Sequence, residues 1–201
     1  MADLQLEHAL RKKGYRVVAG IDEAGRGPLA GPVMAGAVVL PKNFAHPYLT
    51  DSKKLSHAQR EKVYAELVAE PDVILASARV ESDEIDEINI LQATYQAMKR
   101  AFEALPLVPD VALIDGKPVQ HFPAEYQAVI KGDSLSFSIA AASIVAKVER
   151  DRIMVEYAEM YPEYGFERHK GYGTRIHCEA LKKWGACPIH RQSFAPVAAV
   201  L

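Results

Sequence analysis

Cysteine is scarce in this chain of 201 residues: Cys178 and Cys187 are the only two. Two thiols cannot build a disulfide framework, which excludes a small secreted scaffold and makes a reducing, cytoplasmic home the default expectation. No apolar run approaches the roughly 20 residues needed to cross a bilayer, which argues against a membrane protein. Internal repeats, low-complexity tracts and long Gly/Ser linkers are missing as well. The start, Met-Ala-Asp followed by an amphipathic pattern over residues 4–13, lacks the layout of a secretory leader. Excess charge of one sign is also lacking: the net charge of −2 argues neither for nor against a nucleic-acid partner. What remains is 49% hydrophobic and 25% charged, an ordinary composition for a globular chain long enough to bury a core.

The distribution of charge says more than its sum. Residues 81–90 hold Glu81, Asp83, Glu84, Asp86 and Glu87 with no basic residue. From Gly165 onward, Arg168, Lys170, Arg175, Lys182, Lys183 and Arg191 outnumber Glu167 and Glu179. Such a basic segment suits either a phosphate backbone or a solvated helix face.

Periodicity and breakers predict a helix at 4–13, strands at 17–22 and 31–40, and a helix from an N-cap at Ser56 to about Ala69. A strand at 73–80, a helix at about 90–104 and strands at 111–114 and 126–130 follow. A long helix at about 135–160 and a shorter one near 174–184 complete the reading. Strands that pair first and then alternate with helices predict an α/β fold with a mixed sheet flanked by helices. Residues 1–160 read as the main domain. Residues 161–201, rich in Gly, His and Arg, read as a helical and loop-like extension folded over it.

The densest information lies in Gly20-Ile21-Asp22-Glu23-Ala24-Gly25-Arg26-Gly27-Pro28. An apolar strand ends in two adjacent carboxylates, a Gly-Arg-Gly turn follows, and a second apolar run begins. Burying such a pair beside a strand is costly unless a cation compensates. Two further acids share that placement: Asp115 in Leu113-Ile114-Asp115-Gly116, and Asp133 in Lys131-Gly132-Asp133-Ser134. Ends of neighbouring strands converge, so Asp22, Glu23, Asp115 and Asp133 are expected to form one cluster. Repulsion within it would raise some of the pKa values unless a metal binds, and hard oxygen ligands select Mg²⁺ or Mn²⁺. Two such ions about 3.5–4 Å apart would clamp the attacking and leaving oxygens of a phosphodiester. Taken singly, Asp133 could be the N-cap of the long helix, and Asp115 a turn residue.

Other patterns compete for attention. Gly25-x-Gly27-x-x-Ala30 fits a dinucleotide-binding fingerprint, but Pro28, Gly31 and Pro32 lead into a β-branched run where that motif needs a helix. Glycines that let backbone groups approach a substrate, with Arg26 near a phosphate, fit better. Cys178, Cys187, His177 and His190 raise a zinc question, but their spacing matches no common zinc motif. Ser143, Lys147 and Asp151 recur at i, i+4 and i+8 on the long helix, either as a solvated Lys–Asp face or as a stripe aimed at the acidic cluster.

At these residues the chain resembles the ribonuclease HII family. Residues 20–33 are similar to the family's N-terminal signature. Asp51-Ser52-Lys53-Lys54-Leu55, Ile114-Asp115-Gly116, Lys131-Gly132-Asp133 and the stretch 142–151 then follow in the family's order. His169-Lys170-Gly171-Tyr172-Gly173-Thr174 and His190-Arg191-x-Ser193-Phe194-x-Pro196-Val197 complete it. The resemblance implies an RNase H-like fold with a helical C-terminal extension. It implies hydrolysis of RNA in RNA–DNA hybrids and cutting on the 5′ side of single ribonucleotides in duplex DNA, leaving 3′-hydroxyl and 5′-phosphate ends. It puts metal and catalysis on Asp22, Glu23, Asp115 and Asp133, with Mg²⁺ or Mn²⁺, two per site when substrate is bound. It puts ribonucleotide sensing on Gly25, Arg26 and Gly27, and stacking on Tyr172. Lys53, Ser143 and Lys147 become candidate substrate contacts, with Lys54, Lys170 and Arg175 as further phosphate contacts. A monomer that binds hybrid and ribonucleotide-containing duplex, with no membrane partner, is the expected working form.

Overall fold

The computed structural model describes residues 2–49 and 52–201, and of Lys53 the backbone alone. Helix α1 (Gln5–Lys12) precedes strands β1 (Val18–Ala24) and β2 (Val33–Val39). Helix α2 (His57–Ala69), strand β3 (Ile74–Val80) and helix α3 (Ser82–Glu103) follow. Then come β4 (Val111–Asp115), β5 (Tyr126–Val129), the long helix α4 (Phe137–Met160) and the short α5 (Phe166–His169), α6 (Arg175–Trp184) and α7 (Ala195–Ala198). Among the described residues five strands form one sheet, ordered β3-β2-β1-β4-β5. β1, β2 and β3 pair antiparallel, whereas β4 and β5 run parallel to β1 and to each other. The mixed α/β sheet flanked by helices is thus the architecture expected from the sequence.

Both sheet faces are covered. Ala19, Ile21, Ala35, Ala37, Ala112 and Ile114 pack against Ala93, Ala97, Met98 and Ala101 of α3. On the other face, Val38 and Leu40 meet Ala141, Ile144 and Val145 of α4, with Val63 and Leu67 of α2 beyond. Alternation along the strands decides which side chain faces which helix. α4 lies so close to β2 that a Cβ on Gly36 would strike the Ala142 carbonyl. A third cluster joins Leu29, Ala30 and Met154 to Tyr164, Phe166, Leu181, Ile189 and Val197, which seats the C-terminal segment on the end of α4.

Helix α2 starts where expected: Ser56 and Gln59 form a reciprocal capping box. Helix α3 does not. The pattern predicts a start at Ile90, whereas the helix begins at Ser82 and breaks at Asn89 (φ 66°, ψ 161°). The Asn89 side chain accepts from the backbone of Leu91 (3.0 Å) and Gln92 (3.1 Å), so it caps the second part where a start is expected. The acidic run 81–90 forms the first part. One of its acids reaches the far end of the chain: the Asp86 carboxylate accepts from the backbone of Gln192 (2.8 Å) and Ser193 (2.9 Å) and pins the closing segment. Among the described residues no helix is long and apolar enough to cross a membrane.

Candidate active site

Alternation along β1 sends Asp22 toward α4 and Glu23 toward α3. Asp22 is 5% exposed, accepts from the Glu23 backbone at 2.7 Å and lies beside Ser143 of α4. Glu23 borders a pocket of about 320 Å³ shared with Leu91, Tyr95 and Met98 of α3. β1 and β4 are parallel neighbours with Ile21 opposite Ile114, so Asp22 and Asp115 are the next positions on both strands. Asp115 in turn accepts from the Gly132 backbone at 2.6 Å, which ties the end of β4 to the turn that carries Asp133. Asp115 and Asp133 line a groove of about 550 Å³ with Lys54 and Lys131.

Asp133 is not the cap of α4. Lys131 adopts a left-handed conformation (φ 58°), and residues Gly132–Ser134 make a tight 3-10 turn ahead of the helix. Ser136 caps α4 instead, accepting from the Ile139 backbone at 3.1 Å. The buried Glu7 of α1 reinforces that end, accepting from Ser136 Oγ (2.6 Å) and the Ser138 backbone (2.9 Å).

The electrostatics of the carboxylates are strained. Burial raises the Asp22 pKa well above the ordinary value, and the charges of Glu23 and Asp115 push the same way. Ser143 and the bond from the Glu23 backbone oppose the shift. Burial also raises the Glu23 pKa, opposed by an ion pair with Arg26 at 3.2 Å. Among the described residues no basic side chain pairs with Asp22. The all-oxygen donor set fits a hard divalent cation. No three acidic, histidine or cysteine side chains among the described residues hold a metal by themselves. The expected cluster of Asp22, Glu23, Asp115 and Asp133 is thus not closed into a ready metal cage: Asp22, Glu23 and Asp115 are near enough to repel one another, and Asp133 joins them through the Gly132 turn.

A cleft of about 240 Å³ opens beside these acids. Glu23, Gly25, Arg26, Gly27, Ser143, Lys147 and Tyr172 all line it, so one cleft gathers six of the seven expected substrate-contacting residues. The seventh, the Lys53 side chain, lies outside the described residues, as does Asp51. Ser143 and Lys147 of the α4 stripe both face this cleft, and the Lys–Asp pair of the solvated-face reading is present as well. Ser143 Oγ is 2.8 Å from Ser52 Oγ, and Lys147 Nζ bonds Asp151 at 2.6 Å and stands 5.9 Å from the Tyr172 ring centre. Burial lowers the Lys147 pKa, and Asp151 opposes that shift. A second recess of about 290 Å³ continues past Lys147 and Tyr172, lined by His57, Arg60, Arg168 and Lys170. Arg175 pairs with Glu179 on the surface of α6 (2.7 Å), and Lys170 Nζ donates to the Glu167 carbonyl.

Two buried arginines shape this cleft, and neither is among the candidate site residues of the sequence reading. Arg191 donates to the carbonyls of Gly25 (2.6 Å), Arg26 (3.0 Å), Pro28 (2.8 Å) and Gly31 (2.8 and 3.0 Å). Arg150 donates to those of Pro32 (2.9 Å), Ala30 (3.1 Å) and Lys170 (3.0 Å). Burial pulls their pKa values down to about 9 and about 10, so both stay cationic at neutral pH. Gly25 has φ +95°, and a Cβ there would collide with the Arg150 side chain, which accounts for glycine at the start of the turn. The signal for Arg150 is its place in the row Ala142, Ala146, Arg150, Met154: four residues apart, all buried, one of them charged.

The Cys/His group has its own arrangement. The Cys187 N–H points at His190 Nδ1 (2.9 Å), the two Nε2 atoms of His190 and His177 are 3.0 Å apart, and His177 Nδ1 is 2.9 Å from the Tyr172 carbonyl. These contacts fix both tautomers: His190 Nε2–H donates to His177, whose Nδ1–H donates to Tyr172. Burial lowers the His177 pKa and brings that of His190 to about 4, so the pair is neutral at pH 7.

The fold recurs in ribonuclease H2 from Pyrococcus horikoshii OT3, with a TM-score of 0.79 and 28% identity over 92% of this chain and 97% of that one. Fold and site together define an enzyme of the ribonuclease H class, an endonuclease that hydrolyses phosphodiesters. The chain belongs to the ribonuclease HII family, whose profile matches residues 19–197. It is 56% identical to ribonuclease HII of Endomicrobium trichonymphae over 92% of this chain and 88% of that protein. It is 51% identical to that of Syntrophus aciditrophicus, over 94% and 88% respectively.

Proposed function

We propose that this ribonuclease cuts the RNA strand of RNA–DNA hybrids and, in duplex DNA, the phosphodiester on the 5′ side of a single ribonucleotide, leaving 3′-hydroxyl and 5′-phosphate ends. The observation that carries this reading is that Glu23, the Gly25-Arg26-Gly27 turn and Tyr172 share one cleft, beside the buried Asp22. The 2′-hydroxyl alone distinguishes a ribose from its deoxy neighbours. A turn of small residues brings backbone donors and acceptors close enough to read it. Tyr172, 43% exposed at the opposite wall, stacks on the sugar that follows.

Asp22, Glu23, Asp115 and Asp133 would hold Mg²⁺ or Mn²⁺, two per site with substrate in place. When bound, the ions supply an activated water and stabilise charge on the leaving 3′-oxygen. The chain's own groups do the rest. Ser143, on the α4 side of Asp22, favours its ionised form. Asp151 holds the Lys147 ammonium at the cleft, where it meets a phosphate. Arg26, which pairs with Glu23 and lines the cleft, would meet the backbone phosphate there. Lys54 extends that positive track; Lys53 is proposed as a further phosphate contact. Residues 161–201 contribute Tyr172 and basic groups and so form the binding extension of a cytoplasmic monomer. Contacts of this kind position the duplex without reading sequence, so affinity falls as salt rises.

The test uses three duplexes: all DNA, RNA–DNA hybrid, and DNA with one ribonucleotide. With Mg²⁺ or Mn²⁺ the last two are cut and the first is not, and EDTA abolishes cutting. Cleavage confined to the hybrid would overturn the single-ribonucleotide reading.

A further inference from the structure

Arg150 reaches both walls of the cleft. Its Nε and Nη2 hold the carbonyls of Pro32 and Ala30, at the end of the segment that begins with the Gly25-Arg26-Gly27 turn. Its Nη1 holds the carbonyl of Lys170, two residues before Tyr172. Lys170 is itself left-handed (φ 52°), so the chain bends sharply at the point Arg150 grips. The guanidinium is fully buried, and among the described residues no carboxylate lies within ion-pair distance of it. Its donors are committed to backbone from two separate segments. One further bond joins the walls directly, from the Leu29 backbone to the Gly171 carbonyl at 2.8 Å. Arg191 differs: its five side-chain bonds go to Gly25, Arg26, Pro28 and Gly31, all on one wall.

We propose that Arg150 is a positioning residue that sets the separation between Tyr172 and the Gly25-Arg26-Gly27 turn, and thereby the enzyme's relative activity on a single ribonucleotide and on a continuous RNA strand. The proposal rests on the function argued above. A lone ribonucleotide offers one 2′-hydroxyl, so the turn and Tyr172 must engage it and its neighbour in a single register. A continuous RNA strand offers a 2′-hydroxyl at every step and tolerates a shifted wall. Misplacement of one wall therefore penalises the single site far more than the hybrid.

The experiment compares wild type, Arg150→Lys and Arg191→Lys, measuring kcat and KM on both substrates with Mg²⁺, below the melting temperature of each. Lysine keeps the charge but loses the planar fork that spans separate carbonyls. Arg150→Lys should lower kcat/KM at the single ribonucleotide about tenfold more than on the hybrid, chiefly through kcat. Arg191→Lys, which disturbs one wall as a unit, should lower both by a similar factor. Equal losses for Arg150→Lys, or the same preference shift for Arg191→Lys, would overturn the proposal and leave the function intact. A wild type that cuts the hybrid but not the single ribonucleotide would overturn both. Should Arg150→Lys not fold, Arg150→Gln, which removes the buried charge and keeps donors, is read the same way. Failure of both to fold would assign Arg150 to holding the fold alone and overturn the positioning role.

Discussion

Asp22 and Arg191 are both charged and buried, yet their surroundings treat them in opposite ways. Asp22 sits beside Glu23 and Asp115, and its pKa is driven up. Arg191 sits among carbonyls that occupy its donors. One region keeps its charge uncompensated, and the other satisfies its charge from within the fold. The difference separates two tasks. A cation-binding centre must leave room for charge to arrive, so it destabilises the empty protein. A surface that reads a sugar must already hold its shape, so its charges are consumed in building it.

Substitution should therefore move activity and stability in opposite senses in the two regions. Asp22→Asn is expected to lower cleavage by about 10³-fold or more, since several kcal/mol of transition-state stabilisation depend on the cations it helps hold. The same change should raise the melting temperature in EDTA by relieving repulsion. Normal turnover with Mg²⁺, or a lower melting temperature, would erase the distinction. Arg191→Ala should instead destabilise the protein by about 3–5 kcal/mol, because it strands several buried carbonyls at once. Denaturant unfolding measures this, and a loss under about 1 kcal/mol would mean the turn holds itself. Tyr172→Ala should cost about tenfold at a single ribonucleotide and clearly less on a long hybrid, the scale of one lost stacking contact. Equal losses on both would remove Tyr172 from junction sensing.

The two regions should also respond to pH with opposite sign. The Asp22 pKa is raised in the folded state, so its penalty is absent below the ordinary carboxylate range and grows as pH rises through it. The His190 pKa is depressed from 6.5 to about 4, so its contribution is complete above pH 6.5 and is lost as pH falls toward 4. Melting curves in EDTA should show Asp22→Asn gaining most over wild type near neutral pH. His190→Asn should lose least against wild type near pH 4. Parallel curves for either variant would contradict the corresponding pKa shift.

Sequence exposed the chemical region better than the reading region. Asp22 and Asp115 were legible because each ends an apolar strand, and ends of neighbouring strands meet. Ser143 and Lys147 were legible because helical spacing put them on one face. Taken singly, Asp133 also fitted a helix cap, because the left-handed Lys131 and the tight turn after it leave no pattern in residue type; the cap is Ser136. The start of α3 was obscured because Asn89 caps a second helical part in mid-run. Arg150 and Arg191 were not marked as site residues because their partners are backbone carbonyls up to 166 residues distant in the chain. Carbonyls carry no sequence identity, so only the fold reveals which arginine builds a surface and which merely coats one.

The most direct test of a cation-dependent centre joined to a ribose-reading turn is to map the cut in duplex DNA that carries one ribonucleotide. With Mg²⁺ the account predicts a single break on the 5′ side of the ribonucleotide, with a 3′-hydroxyl and a 5′-phosphate, and none in EDTA. A break on the 3′ side, a cyclic phosphate end, or cutting that persists without metal would contradict it.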